Sequence, residues 1–113
     1  MIKWFDLIKK SKLRKNKIVY ISNFNIILIN VNKVYYAIED NCPHQDMPIS
    51  TGKIINNIII CPFHNAQFCV KTGVIKKPLS ISNLNVLELK EEGGILKLKI
   101  NFTCWKVKFY CQL

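Results

Sequence analysis

Asn41-Cys42-Pro43-His44 and Ile60-Cys61-Pro62-Phe63-His64 are the two stretches on which the reading of this chain turns. The chain has only two histidines in 113 residues, and each stands just behind a cysteine. The pattern is C-x-H, sixteen intervening residues, then C-x-x-H. Each pair lies in a proline-containing loop that follows a strand-like run, Val34-Tyr35-Tyr36-Ala37-Ile38 or Ile58-Ile59-Ile60. Such a loop brings a thiolate and an imidazole to one centre within two or three residues. Hairpin-linked strands can then hold two such loops face to face, giving a cup of two soft and two imidazole donors.

Working outward, short strands separated by turns dominate. Ile18-Val19-Tyr20-Ile21 is followed by the turn-like Ser22-Asn23. Ile26 to Ile29 and Val34 to Ile38 read as a hairpin across Asn30-Val31-Asn32-Lys33. Ile54-Ile55 and Ile58-Ile59-Ile60 read as a second hairpin, because Asn56-Asn57 tolerates the positive φ of a type I′ turn. Thr72-Gly73 reads as a turn and Pro78 as a break. Val86 to Lys90 partly alternates, Glu91-Glu92-Gly93-Gly94 is a turn, and Ile95 to Ile100 alternates cleanly. This spacing points to an all-β antiparallel sandwich or barrel. Only Trp4 to Lys10 reads as a possible short helix.

The length suits one domain with one core. Half the residues are apolar, which argues against disorder. No apolar run approaches the roughly 20 residues of a membrane helix, and Asp6, Lys9 and Lys10 interrupt any signal-like region. The expectation is a chain without a membrane span, cytoplasmic. The net charge is +10, but Ile, Asn and Lys, which A/T-rich codons encode, are all abundant. Coding bias therefore explains the charge more simply than a polyanion site, and no nucleic-acid module is recognisable around the basic run Lys9 to Lys17. Five cysteines, an odd number, favour thiols and metal ligands over a disulfide framework.

Two metals fit Cys42, His44, Cys61 and His64. Zinc accepts a Cys₂His₂ set, although zinc fingers group Cys with Cys and His with His. A Rieske-type [2Fe–2S] centre takes two Cys on one iron and two His on the other. The bland alternative treats the cysteines as packed small hydrophobes and the histidines as unremarkable. It must then place both histidines behind cysteines in matched loops by coincidence.

Residues 42–64 resemble the Rieske iron–sulfur signature. Val34 to His44 is similar to the strand and loop that lead into the cluster of small Rieske ferredoxins. Pro48-Ile49-Ser50-Thr51-Gly52 resembles the family's P-L-S-x-G, with Ile for Leu. Cys61-Pro62-Phe63-His64, with Phe68, Thr72 and Gly73, resembles C-P-x-H-x-x-x-F-x-x-x-T-G. The resemblance implies an antiparallel β fold of the Rieske type with a small cluster-binding subdomain. It implies a domain over 1–100, with cluster loops 42–52 and 61–73, and a tail over 101–113. It also implies Cys42 and Cys61 on an inner iron and His44 and His64 on an outer one. Asn65 stands where the family usually has Gly, and Asn is the next best residue for a left-handed backbone.

High-potential relatives, as in cytochrome bc complexes, carry an extra cysteine in each loop and Ser and Tyr hydroxyls against the cluster. The matching positions here are Met47 and Phe63, and Ala66 and Phe68. The implied potential is at the low end of the Rieske range, about −150 mV. The implied role is a one-electron carrier rather than an enzyme, receiving electrons from a flavoprotein reductase and passing them to an oxygenase or another acceptor. Lys53, Lys76 and Lys77 are candidates to steer an acidic partner. Two other readings are an electron-input small subunit like those of nitrite reductases, and a zinc-bound structural module. Cys69 reads as a small packed residue. In the tail, Trp105, Val107 and Phe109 partly alternate as a strand would, and Cys104 and Cys111 read as thiols.

Overall fold

The computed structural model describes residues 2–42, 47–62, 65–77 and 83–101. Their strands are β1 (Ile2–Lys9), β2 (Ile18–Ile21), β3 (Ile26–Val31), β4 (Val34–Glu39), β5 (Lys53–Ile55) and β6 (Ile58–Ile60), then β7 (Gln67–Cys69), β8 (Ile75–Lys77), β9 (Val86–Leu87), β10 (Leu89–Glu92) and β11 (Ile95–Asn101). Among the described residues only Lys10–Lys12 is helical, as a single 3₁₀ turn. The expected all-β antiparallel architecture is therefore what the chain adopts. No helix among the described residues is long and apolar enough to cross a membrane.

The strands form three sheets, ordered β1-β11-β10, β2-β3-β4-β9 and β5-β6-β7-β8. The middle sheet is covered on both faces, which explains the apolar run Ile26 to Ile29 in β3. All six of its residues are buried. Ile27, Ile29 and Val31 face a core shared with the β5–β8 sheet, whereas Ile26 and Leu28 face a core shared with Leu96, Leu98 and Ile100 of β11. Alternate residues of a strand point to opposite faces, so a strand buried on both sides loses the polar half of its pattern.

The two-residue turns follow from asparagine and glycine. Asn32-Lys33 turns with φ of 52° and 67°, and Asn56-Asn57 with φ of 49° and 66°. The first turn is tighter than the sequence suggested, since Asn30 and Val31 belong to β3. Gly93-Gly94 joins β10 to β11, also at positive φ. Glu88 divides the run Val86 to Lys90. Val86 and Leu87 pair with β4, and Leu89 onward pairs with β11.

The helix read over Trp4 to Lys10 is wrong: Trp4 to Lys9 lie in β1, paired antiparallel with β11. The register shifts between Asp6 and Ile8. That bulge inserts one residue, so the consecutive Leu7 and Ile8 both pack on the core with Phe5. The bulge breaks strict alternation and leaves a spacing that imitates a helix. Residues 102–113, including the strand reading at Trp105 to Phe109, and Pro78 lie outside the described residues.

Candidate metal centre

Cys42 and Cys61 each follow a strand, and both side chains are buried, at 0% and 1% exposure. Both belong to the same core cluster, with Ile49, Ile59, Ala66 and Phe68. The structure thus brings together two thiols separated by 18 intervening residues. Neither is in a disulfide.

The two loops close alike. The Cys42 N–H donates to the Met47 carbonyl at 2.7 Å, and the Cys61 N–H donates to the Ala66 carbonyl at 2.8 Å. In each case the acceptor lies five residues beyond the cysteine. Four residues are therefore enclosed in each loop, and one is the histidine. His44 and His64 themselves lie outside the described residues. Asn65 closes the second loop in the left-handed region at φ 55°, and its N–H donates to the Cys61 carbonyl at 3.0 Å. This is the backbone conformation expected of an asparagine that replaces glycine.

Two residues brace the first loop. Asp40 is 6% exposed, and its carboxylate accepts the Ile49 N–H at 2.7 Å. Its contribution was not legible as a role in the sequence, where the only signal was an acid two residues before a cysteine. Gly52 then crosses β6 so closely that a Cβ there would strike the Ile60 carbonyl oxygen, immediately before Cys61. The glycine lets the end of one loop pack on the start of the other. Gly73 similarly has φ +76°, and a Cβ would meet the Leu84 carbonyl oxygen.

Cys69 is half-buried on β7 rather than fully packed. A hydrogen bond with the Thr72 side chain lowers its thiol pKa below the ordinary value, and partial burial opposes this. Lys53 is exposed at the start of β5, and Lys76 and Lys77 lie on β8. Among the described residues no three metal-ligating side chains cluster.

The donor chemistry fits an iron–sulfur cluster. Buried thiols in a dry wall suit metal-bound thiolate, and each closed loop carries one imidazole besides. The model of the Rieske [2Fe-2S] domain matches residues 3–105. The chain belongs to the Rieske [2Fe-2S] domain family. A Rieske-type cluster is therefore its cofactor.

Among similar proteins is the biphenyl 2,3-dioxygenase ferredoxin component of Rhodococcus jostii. It is 34% identical over 68 residues, covering 60% of this chain and 64% of that protein. The 3-phenylpropionate/cinnamic acid dioxygenase ferredoxin subunit of Escherichia coli K12 is 36% identical over 70 residues, covering 61% and 66%. The match therefore spans less than two thirds of either relative. In solved structures, the Rieske fold here is similar to a chain from the complex of reduced oxygenase and oxidized ferredoxin in carbazole 1,9a-dioxygenase. That pair has TM-score 0.78 and 26% identity, covering 84% of this chain and 91% of that one. The Sphingomonas yanoikuyae B1 ferredoxin gives TM-score 0.79 at 20% identity, covering 88% and 100%, a likeness of fold.

Proposed function

We propose that this Rieske protein is a one-electron carrier of low potential, with its cluster held by Cys42, His44, Cys61 and His64. The observation that carries the reading is the pair of matched loops, each closed from a buried cysteine to the carbonyl five residues on. When bound, the cluster takes up and releases one electron. Cys42 and Cys61 supply thiolate sulfur from the buried wall and exclude water from it. His44 and His64 supply imidazole nitrogen from within the loops. Ala66 and Phe68, both fully buried beside the second loop, offer no hydroxyl, which supports a potential near the low end of about −150 mV.

The domain extends over 1–100, with cluster loops 42–52 and 61–73; its last strand runs one residue further, to Asn101, and the rest of 101–113 is read as a tail. The partners are a flavoprotein reductase as donor and an oxygenase as acceptor, supported by the dioxygenase ferredoxins among the relatives. The chain works in the cytoplasm and carries electrons rather than catalysing a reaction of its own.

The test is an anaerobic visible and EPR spectrum of the purified chain, with His44→Ala and His64→Ala beside it. The wild type is expected to be coloured, with iron and sulfide in equal amounts and a Rieske EPR signal that both variants lose. Colourless protein that takes up no iron on reconstitution would overturn the reading. Loss of colour in neither histidine variant would overturn the ligand assignment.

A further inference from the structure

We propose that a basic cleft along the β5–β6 hairpin docks a carboxylate-rich segment of a protein partner. Three adjoining clefts share lining residues. One, of about 480 Å³, holds Asn16, Lys17 and Lys53; the second, of about 270 Å³, holds Lys15, Asn16 and Asn32; the third holds Lys15, Asn32 and Lys33. All four lysines are exposed. Among the described residues no Asp, Glu or aromatic side chain lines any of the three.

Among the described residues, no acid is paired with these lysines. Asp6, Glu88, Glu91 and Glu92 are engaged by Lys10, Lys90, Lys97 and Lys99 on or beside the β1-β11-β10 sheet. Glu39 is held by Asn85, and Asp40 by the Ile49 amide. The surplus positive charge of the described residues thus includes a cleft with no acid of its own. A carboxylate entering it meets several cations in high-dielectric surroundings, an arrangement that steers association.

The cleft is also built rather than merely lined. Asn30, 8% exposed, joins its two walls. Its side-chain amide donates to the Leu13 carbonyl at 2.9 Å, its side-chain oxygen accepts the Lys33 N–H at 2.9 Å, and its backbone carbonyl accepts the Asn16 N–H at 2.7 Å. One buried residue, through its side chain and its backbone carbonyl, therefore fixes the backbone that presents Lys15, Lys17 and Lys33. The cleft runs from the Asn56-Asn57 turn to Lys53, which pairs with Ile60 just before Cys61. A segment laid along it leads from the β5–β6 turn toward Gly52 and the end of the first cluster loop.

The chemistry favours a protein over a nucleic acid. Base recognition on single strands uses aromatic stacking platforms, and the cleft has none among the described residues. Its cations are lysines, point charges that attract carboxylate and phosphate alike, so the missing stacking platform carries the choice and the oligo-dT and vesicle arms of the test check it. Asparagine amides between them donate to carboxylate oxygens.

The test uses the cluster-loaded full chain and a fluorescent polyglutamate peptide of about 20 residues, followed by anisotropy at about 50 mM salt, where screening is weak. The combined Lys15→Gln, Lys17→Gln, Lys33→Gln and Lys53→Gln variant is expected to bind at least about tenfold more weakly, and Lys76→Gln with Lys77→Gln less than about threefold more weakly. An unchanged visible spectrum in each variant shows that the fold and cluster survive, so weaker peptide binding is attributed to the lysines and not to loss of the cluster. If the combined variant does not fold, amide NMR of the wild type decides. Peptide-induced shifts are expected at Lys15 to Lys17, Asn32, Lys33 and Lys53 to Asn57. Shifts elsewhere, no binding by the wild type, or equal binding by the combined variant would overturn the proposal. Tighter cleft-dependent binding of oligo-dT or phosphatidylserine vesicles than of the peptide would also overturn it, by assigning the cleft to another class of partner.

Discussion

Asp40 shows how a single buried polar group can hold a metal loop. Its carboxylate accepts the N–H of the fully buried Ile49, while Asp40 itself stands at the wall of a polar pocket with Glu39, Asn41 and Ser50. Asp40→Ala is expected to lower stability by about 2 kcal/mol, the cost of a buried donor left unsatisfied. Asp40→Asn keeps an accepting oxygen and should recover most of the loss, which chemical denaturation of the two variants can measure. Ala66 works in the opposite sense, through what it lacks. Its carbonyl closes the second loop, but its side chain is a methyl group. In Ala66→Ser a hydroxyl donating toward the cluster favours the more negative, reduced state. A gain of about 1 kcal/mol in that state raises a one-electron potential by about 40 mV. A redox titration showing a fall would reject the low-potential explanation.

Among the elements, the β5–β6 hairpin carries the clearest link from local sequence to site. Its strands are three residues each, too short to stand alone, and they depend on the turn and on the core beneath. Asn57 holds φ 66°, a conformation that costs a branched residue about 1–2 kcal/mol. Asn57→Val is therefore expected to destabilise by about that amount, whereas Asn57→Gly should be neutral or mildly stabilising. Thermal melts of the two variants, moving in different directions, test the turn assignment. The bulged β1 teaches the complementary lesson. Leu7 and Ile8 both pack inward only because β11 is present to take up the shifted register. An isolated peptide of that sequence has no reason to choose a strand.

Across the whole molecule, two cores divide the labour. One joins β3 to the cysteines and the β5–β8 sheet, and the other joins β3 to β11 and β1. Only the first contains Cys42 and Cys61, the proposed thiolate donors. On the proposed ligand set, removal of iron takes the metal from the first core, which contains Cys42 and Cys61, and leaves the second core untouched. Hydrogen exchange after anaerobic chelation is expected to quicken across 53–77 more than across 95–101. Equal loss of protection in both regions would show that the two cores unfold as one. The same division separates charge: the acids and lysines of the β1-β11-β10 sheet largely answer one another, while the cleft beside β5 is left cationic. The charge that composition ascribed to coding bias is thus unevenly placed, and only the fold displays that placement.

The family, the donor residue types and the turns were legible without coordinates because each depends on local chemistry. Two Cys/His loops carry their spacing in the chain, and Asn-Asn or Gly-Gly turns need only their own backbone freedom. The burial of β3 on both faces, the β1 strand in place of a helix, and the split at Glu88 were decided by partners distant in sequence. Hydrophobic periodicity reports how many faces of a segment are covered, but the identity of the cover comes from elsewhere. The sequence determined which atoms are available to bind metal. The tertiary structure decided that Cys42 and Cys61 share one dry wall, with Gly52 letting one loop rest against the backbone that begins the other.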